Sequence, residues 1–413
     1  MPTETAPFDT LAAIYRDLHA HPELGFAEHR TAGIVAEFLQ GTGFETTTGV
    51  GGTGVVGVLQ RGTGPVVLLR ADMDALPVRE ATGLDYASTA TARDADGNEL
   101  PLMHACGHDM HTTALLGAAQ ALAADTGWQG RLILVFQPSE ENGQGARAMI
   151  ADGLIERFGR PDVVLGQHVA PIPAGVLGVH AGAAFAASDA LRVRVFGRGG
   201  HGSRPEATVD PIVLAAAIVL RLQTIVSREL AASDTAVVSI GSIHAGTAPN
   251  IIPDEAELQL SIRTLDGHVR ERILAAIERI VRGEALAAGA EREPLVESIH
   301  SFPAVVNDAA AAERVRGAFA TLPGVHVVDP GVVTGSEDVG EIATAADAPC
   351  LYWLLGGSDP ALFAGAHSVA EIARIVDGLP SNHSPAFAPV ISPTLPLGVA
   401  ALHSAARAWL ATG

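Results

Sequence analysis

Apolar and polar positions follow two different patterns along the chain, and the change falls near residue 188. Before it, short apolar runs rich in β-branched residues alternate with segments of helical periodicity. The apolar runs are Val55–Leu59, Val66–Leu69, Leu132–Phe136 and Val163–Leu165, and the helical segments are Thr10–Ala20, Glu28–Gln40 and Thr112–Ala124. Fully apolar strands between helices are typical of an α/β sheet that is largely parallel and covered on both faces.

From about residue 188 the pattern predicts a smaller domain of another kind. The order is strand, helix, strand, strand, helix, strand, over residues 190–196, 209–227, 236–243, 256–263, 269–288 and 293–298. This order is typical of a two-layer, ferredoxin-like α+β domain. The alternation of helices and apolar strands then resumes, with a helix at 309–321, a strand at 350–355 and a last helix at 394–410. We therefore predict a discontinuous α/β domain, residues 1–187 and 302–413, interrupted by an inserted domain at 188–301.

Composition narrows the class of protein. The chain has 413 residues, 48% of them hydrophobic and 17% charged, which is typical of a globular protein with a large core. Its 46 acidic and 26 basic residues give a net charge of −20, which argues against nucleic acid or an anionic membrane as the main partner. All the basic residues are Arg, and a chain without Lys excludes Schiff-base chemistry and the phosphate-loop Lys. Two cysteines, Cys106 and Cys350, do not make a disulfide scaffold.

The sequence has no evident targeting or membrane-spanning segment. Met1–Phe8 lacks a basic region followed by an apolar run. The longest apolar stretch, Val213–Val226, is interrupted by Arg221 and Gln223 and is too short to span a bilayer. We expect a soluble, cytoplasmic protein.

The densest group of reactive residues is the segment MHACGHDMH at 103–111. Cys106 and His108 lie two residues apart with Gly107 between them, so that in an irregular or extended segment both side chains can reach one point. A thiolate together with an imidazole suits Zn²⁺ or a similar transition metal. A buried Cys beside a solvated His has the same spacing, so this segment alone leaves both interpretations open.

Further residues of ligand type follow the predicted strands. Glu140 and Glu141 come after the third apolar run, and His168 comes after the fourth. Open α/β sheets place their sites at the carboxyl ends of strands. Adjacent residues point apart, so one Glu can bind a metal while the other faces a substrate. Asp72, in RADMD, follows the second apolar run, and His383, in NHSP, lies in a loop before the last helix. Each group alone also fits a solvated turn or a capped His, but their joint occurrence favours one metal site.

These motifs resemble a known family. The segments MHACGHDMHTTALLG, GRGGHGSRP and NHSPAF, with the Glu pair and His168, resemble the dinuclear metal-dependent amidohydrolases, which include aminoacylases, hippurate hydrolases and indole-acetyl-amino-acid hydrolases. The resemblance runs from about His19 to Leu410. Within the family the chain is most similar to the actinobacterial N-acyl-glutamine aminoacylases, on GGHGSRP, LQTIVSRE and GSED.

The resemblance implies two divalent metal ions per subunit, either Zn²⁺ or Mn²⁺, Co²⁺ or Ni²⁺. By motif position the implied ligands are Cys106, His108, Glu141, His168 and His383. Cys106 stands where related branches have a bridging Asp, so its thiolate is expected to bridge the two ions. Arg70 stands where related branches have the His of a His-x-Asp motif, which removes that ligand. Asp72 remains, and we expect it to orient a ligand.

The resemblance also implies the residues that act on the substrate. Glu140 is the implied general base, and a carboxylate beside the attacking water can take its proton and deliver it to the leaving nitrogen. His201 is implied to stabilise the oxyanion from the partner subunit, although a His bonded to its own turn is the alternative. Asn250 and Arg263 match the contacts to the substrate carboxylate, for which the planar Arg fork is suited, and a surface salt bridge is the alternative for Arg263. Glu206 departs from the family pattern, where His is frequent, and its role stays open.

The leading hypothesis is a homodimer, with a homotetramer left open, that hydrolyses N-acyl-L-amino acids to a carboxylate and a free amino acid. A dipeptidase or carboxypeptidase on the same scaffold fits the same residues. A cysteine hydrolase, with Cys106 as nucleophile and His108 as base, would leave the Glu pair without a role. A non-enzymatic metal-binding protein would need the ligands but not Glu140. The acyl group, the amino acid and the metal cannot be read from the sequence.

Overall fold

The computed structural model describes residues 8–93 and 96–412, which group into two compact units. The first unit contains the chain up to Ala184, Val306–Gly331 and the chain from Asp338 onward. The second contains Phe185–Val305 and Val332–Glu337. The short segment 332–337 thus groups with the inserted unit, which the sequence pattern does not indicate.

Helices and strands alternate through most of the described residues. The helices are α1 (Phe8–Ala20), α2 (His29–Gly41), α3 (His108–Ala124), α4 (Gly145–Ala151), α5 (Leu154–Phe158), α6 (Pro211–Thr224), α7 (Gly267–Ala287), α8 (Ala309–Phe319), α9 (Val339–Ala346), α10 (Val369–Asp377) and α11 (Ile391–Trp409). The strands are β1 (Glu45–Val50), β2 (Gly54–Arg61), β3 (Val66–Asp72), β4 (Thr91–Arg93), β5 (Glu99–Pro101), β6 (Trp128–Gln137), β7 (Val163–Pro173), β8 (Val176–Gly178), β9 (Gly182–Phe185), β10 (Ala187–Phe196), β11 (Gly200–His201), β12 (Ala236–Ala245), β13 (Ile251–Ile252), β14 (Glu255–Thr264), β15 (Leu295–Phe302), β16 (Val305–Asn307), β17 (His326–Val328), β18 (Cys350–Ser358) and β19 (Ala411–Thr412).

The first unit is built on one mixed sheet of order β1-β2-β6-β3-β7-β18-β8-β17, with β19 paired to β6. Its central strands β6, β3, β7 and β18 run parallel, whereas β1 and β2 are antiparallel. Val67, Leu132, Val163 and Leu351 of these central strands are fully buried. This confirms the predicted α/β class, since parallel strands covered on both faces are apolar along their whole length.

The second unit has a four-stranded antiparallel sheet of order β12-β14-β10-β15. Leu258, Leu260 and Ile262 of β14 are buried in one apolar cluster with Ile218 of α6 and Ile277 of α7. Because successive side chains of a strand point to opposite faces, the alternate residues of β14 face away from these helices. The element order and the strand order are those of the predicted ferredoxin-like arrangement.

Three elements differ from the sequence prediction in ways that matter for the site. Helix α3 begins at His108 rather than at Thr112, because Gly107 takes the left-handed conformation (φ 85°) that lets the chain enter the helix directly. Strand β7 does not end before His168 but continues to Pro173, since its parallel partner β18 pairs with it beyond that point. Strand β3 likewise extends to Asp72, three residues past its predicted end at Leu69.

Candidate metal centre

The five predicted ligands lie together in the first unit. Ligand atoms of Cys106, His108 and His168 are all within 4.8 Å of one another, and so are those of Cys106, Glu141 and His383. The Cys106 sulfur lies 3.4 Å from Nε2 of His168. Oε2 of Glu141 lies 3.4 Å from Nε2 of His383. The two groups therefore share one sulfur atom, and a thiolate at Cys106 would be a ligand common to both.

Two buried polar atoms of this cluster have no hydrogen-bond partner among the described residues. They are Nε2 of His108 and Oε1 of Glu141, and they lie 3.8 Å apart. An unpaired buried polar atom costs about 1–3 kcal/mol, so both atoms call for a further partner. The donor set of sulfur, imidazole nitrogen and carboxylate oxygen fits Zn²⁺ or a related transition metal.

Hydrogen bonds fix which nitrogen of each imidazole faces the cluster. Nδ1 of His168 donates to the carbonyl oxygen of Val169 at 2.8 Å, which leaves the lone pair on Nε2. Burial, and then the charge of His111, hold the pKa of His168 well below its ordinary value, so the ring is neutral at pH 7. Nδ1 of His108 lies 3.2 Å from Oδ1 of Asp74, and Nε2 is the atom that faces Glu141. A neutral ring such as that of His168 is the form that binds metals. Burial lowers the pKa of His108, but the charges of Asp72 and Cys106 outweigh it and raise that pKa well above its ordinary value, so a metal ion bound there would displace a proton.

The Cys106 thiol is buried beside a carboxylate. Burial, and then the negative charge of Glu141, raise the pKa of Cys106 above its ordinary value. A metal ion bound there would displace the thiol proton, because the thiolate is the ligand form. The residue between the ligands Cys106 and His108 has to be glycine, because a Cβ at Gly107 would approach Cγ1 of Val169 to 2.4 Å.

Asp74 contacts two of the candidate ligands, a role that the sequence pattern does not predict. Its Oδ1 faces Nδ1 of His108, and its Oδ2 accepts the backbone N–H of Glu141 at 3.0 Å. Asp74 therefore orients one ligand side chain and the backbone of another. The Asp-x-Asp spacing in RADMD is the signal that could have identified it, because Asp72 is the last residue of a buried strand and Asp74 lies two residues further on.

Asp72 lies behind the cluster in a second hydrogen-bond network. It accepts from Nδ1 of His111 at 2.6 Å and from Nη1 of Arg70 at 2.6 Å. Nε2 of His111 accepts the N–H of Val169 at 2.8 Å, so both nitrogens of that ring are engaged. Burial raises the pKa of Asp72, but the charges of His108 and Arg70 and the hydrogen bond from His111 outweigh it and hold that pKa well below its ordinary value. An ionised Asp72 and an engaged His111 are suited to orient ligands rather than to bind metal.

Glu140 and His383 enter the site from strained backbone. Glu140 is 4% exposed, and its Oε2 lies 3.9 Å from Nε2 of His108. The residue before it, Ser139, has a φ of 53°, and His383 has a φ of 70°. Left-handed backbone at a residue other than Gly costs about 1–3 kcal/mol and persists only where the surrounding structure holds it. The His383 N–H donates to the carbonyl oxygen of Ala105 at 2.8 Å, next to the ligand Cys106.

His201 and Asn250 lie together at one end of the second unit's sheet. Strand β11, which contains His201, pairs with β13, and the Gly202 N–H donates to the backbone oxygen of Asn250 at 2.8 Å. Nδ1 of His201 accepts the backbone N–H of Ser203 at 3.1 Å. A ring nitrogen that accepts carries no proton, so the neutral imidazole has its N–H on Nε2. His201 is exposed, and Nε2 is therefore a donor that an oxyanion could use.

Arg263 lies at the opposite end of strand β14, apart from Asn250 in the same chain. Arg263 pairs with Ser188 near the start of β10, whereas the His201 and Asn250 loops follow the end of β10 and precede β14. Arg263 is eight positions beyond Glu255, where β14 begins, which corresponds to about 26 Å of extended strand. By motif position, Asn250 and Arg263 are both expected at one substrate carboxylate. Within a single chain, the structure does not bring them together.

One helical stretch of the described residues is long and apolar enough, by length and composition alone, to cross a membrane. It covers 211–229, and a third of its most apolar window is buried. Val213 is 65% exposed and Leu220 is 73% exposed, so the described residues leave part of its apolar surface uncovered. A single stretch of this kind is weak support for a membrane span, because core and interface helices of soluble proteins share it.

A sulfur, nitrogen and oxygen cluster beside a buried carboxylate is typical of hydrolases that use bound metal ions. The family model described as peptidase family M20/M25/M40 matches residues 68–380. The chain belongs to this family, and it is an enzyme that hydrolyses amide bonds.

Individual relatives agree with this assignment. A hippurate hydrolase of Campylobacter jejuni is 46% identical over 276 residues, which cover 66% of this chain and 69% of the relative. Thermostable carboxypeptidase 1 of Saccharolobus solfataricus is 38% identical over 84% of this chain and 86% of the relative. The crystal structure of a Bacillus subtilis protein, described as a dinuclear metal binding peptidase of the M20 family, has a TM-score of 0.76 and 29% identity, and covers 97% of each chain.

Proposed function

We propose that the protein hydrolyses the amide bond of N-acyl-L-amino acids, with two divalent metal ions bound in each chain. The observation that carries the proposal is the pair of ligand groups that share Cys106, next to buried Glu140. The similarity to a hippurate hydrolase supports an N-acyl amino acid as the substrate, and the similarity to a dinuclear metal binding peptidase supports two ions. Zn²⁺, Mn²⁺, Co²⁺ and Ni²⁺ all suit these donors, and a cytoplasmic location stays a prediction.

In this proposal the candidate ligands of the first unit hold the metal ions, and Glu140 transfers the proton. Cys106, His108 and His168 would hold one ion, and Cys106, Glu141 and His383 the other. When bound, the ions make a water molecule acidic and polarise the scissile carbonyl. Glu140 accepts the proton of the attacking water and delivers it to the leaving nitrogen, which departs as the amine of the free amino acid. The products are a carboxylate and an amino acid.

We further propose that the second unit acts as a lid and dimerisation domain. His201 donates from Nε2 to the oxyanion, and Arg263 binds the substrate carboxylate. Because His201 lies near the start of β14 and Arg263 near its end, one small substrate needs His201, together with Asn250, from a second copy of the chain. The exposed apolar side chains of α6 and the unpaired edge of β12 offer a surface for that copy.

Peptide hydrolysis is the second candidate, and the similarity to a carboxypeptidase favours it. Both activities need the same ions and the same carboxylate contact, so rates on acylated amino acids and on dipeptides decide between them. A cysteine nucleophile is disfavoured, because burial raises the pKa of the Cys106 thiol whereas a nucleophilic thiol needs a lowered one.

Metal loading should give two divalent ions per chain, by elemental analysis after removal of unbound metal. His168→Ala should retain only the ion held through Glu141 and His383, and His383→Ala only the other. Cys106→Ala should weaken both, because Cys106 belongs to both groups. Each single-ion variant should lose most activity. A wild-type enzyme that is fully active with one ion per chain would contradict the dinuclear proposal.

Arg263→Lys should raise KM for substrates with a free α-carboxylate by about 10- to 100-fold, since a hydrogen bond to a charged group contributes about 1.5–3 kcal/mol. Arg263 is half-buried, its Nη1 donates to Oγ of Ser336 at 2.6 Å, and among the described residues it forms no ion pair. A compact ammonium cannot reproduce the planar fork. Arg194→Lys is the matched control, because Arg194 lies on the same sheet but is paired with Glu255. Equal wild-type rates on α-acid and α-amide substrates would exclude the carboxylate contact.

A further inference from the structure

Glu28 is a buried carboxylate outside the metal centre that the mechanism above does not use. It is fully buried at the residue before helix α2. Its Oε1 accepts the backbone N–H of Ser139 at 2.8 Å, and its other oxygen is hydrogen-bonded to the hydroxyl of Thr53. A backbone N–H can only donate, so Oε1 is an acceptor whether or not the carboxyl is protonated. Glu28 thus holds the amide of the residue next to Glu140.

That amide belongs to a residue whose backbone needs support. Ser139 has a φ of 53°, and left-handed backbone at a residue other than Gly persists only where neighbours hold it. The segment containing Glu28 also packs on Ser139 at Gly25, where an added Cβ would come within 2.5 Å of Oγ of Ser139. The segment 25–28 therefore contacts Ser139 through one hydrogen bond and one close packing contact.

Glu140 is held from both sides. The amide before it, at Ser139, is bonded to Glu28, and the amide after it, at Glu141, is bonded to Oδ2 of Asp74 at 3.0 Å. Asp74 also contacts His108, so a change there would disturb a candidate metal ligand. The hydrogen bonds of Glu28 go to Ser139 and Thr53, neither of which is a candidate ligand. The Glu28 contact can therefore be tested separately from metal binding.

We propose that Glu28 is a positioning residue, which fixes the backbone before Glu140 and so aims the Glu140 carboxylate at the attacking water. The proposal rests on the proposed role of Glu140 as general base. It assigns Glu28 no contact with substrate or metal. Its effect should appear in kcat, since a misplacement of about 1 Å in a catalytic group can cost about 10²-fold in rate.

The test compares two replacements of similar size in the full-length, metal-loaded enzyme. Glu28→Met fills the space but cannot accept the Ser139 N–H, and it should lower kcat by about 10- to 100-fold. KM should change little, and metal content should equal that of the wild type. Glu28→Gln keeps a carbonyl oxygen for Ser139 and an amide for Thr53, so its kcat should stay close to that of the wild type. Thr53→Val, which removes only the other hydrogen bond of Glu28, should also leave kcat close to wild type.

A second comparison asks whether Glu28 acts through Glu140. In a Glu140→Gln background, Glu28→Met should cause no further loss of kcat, because the group it positions is already inactive. A further loss of similar size, a loss of metal, or equal kcat for the Met and Gln variants would overturn the proposal. If Glu28→Met does not fold, Glu28→Asp, which withdraws the carboxylate by one methylene, replaces it in both comparisons. A wild-type enzyme without activity on any N-acyl amino acid or dipeptide would instead refute the proposed function.

Discussion

Glu140→Gln should lower kcat by about 10²–10⁴-fold, the contribution that a positioned general base typically makes. The amide has nearly the size of the carboxylate but cannot take a proton from the attacking water. Glu140 is 4% exposed and lies 3.9 Å from His108, so the replacement has little room to rearrange. Steady-state rates on a benzoylated or acetylated amino acid measure the loss.

The metal content and the substrate affinity of this variant separate the two adjacent carboxylates. Glu140→Gln should keep both ions and should still bind substrate. Glu141→Gln should lose the ion that it shares with Cys106 and His383. Retention of more than about a tenth of wild-type turnover by Glu140→Gln would remove it as the base, since the loss expected for one is at least 10²-fold.

The types of residue in the site, and the end of the sheet at which they cluster, can be predicted from sequence for a physical reason. Parallel strands bury both faces, so β3, β6 and β7 appear as apolar runs, and polar residues at their ends stand out. Asp72, Glu140 and Glu141 are found in this way. His168 comes after the apolar run of β7 but still lies within that strand, because pairing with β18 extends the strand past the last apolar residue of the run.

The hydrogen bonds that support the ligands cannot be predicted in the same way, because they join residues far apart in the chain. Asp74 supports His108 and the backbone of Glu141, and Glu28 supports Ser139 across more than one hundred residues. The local pattern of apolar and polar residues does not indicate hydrogen-bond partners that are distant in sequence. A hydrophobic period or a strand end specifies where the chain is buried, whereas these contacts depend on how separate loops meet at the sheet edge.

The separation of His201 and Arg263 in the second unit also lies beyond the sequence pattern. Arg263 lies on a predicted strand and His201 on the segment that follows another, yet only the strand pairing puts His201 near the start of β14 and Arg263 near its end. A small substrate that contacts Arg263 cannot reach His201 of the same chain along that sheet. This geometry supports a catalytic role for His201 that depends on a second copy of the chain.

His201→Ala should therefore lower kcat by about 10²–10³-fold, as loss of an oxyanion donor does, with a much smaller effect on KM. The donor acts as the oxyanion forms, so its removal affects the transition state more than the bound substrate. Nε2 of His201 is free to donate because Nδ1 accepts from Ser203. Steady-state kinetics of the metal-loaded variant give both constants.

Mixing two inactive variants tests whether His201 acts across subunits. In a mixed dimer of His201→Ala and Glu140→Gln chains, the Glu140→Gln subunit supplies an intact His201 to the intact metal site of its partner. One of the two sites in each mixed dimer should then work, and activity should return after subunit exchange. The control mixes His201→Ala with a chain that carries both changes, and it should stay inactive because neither chain has His201. If exchange is verified and activity does not return, His201 acts within its own chain or has no part in catalysis.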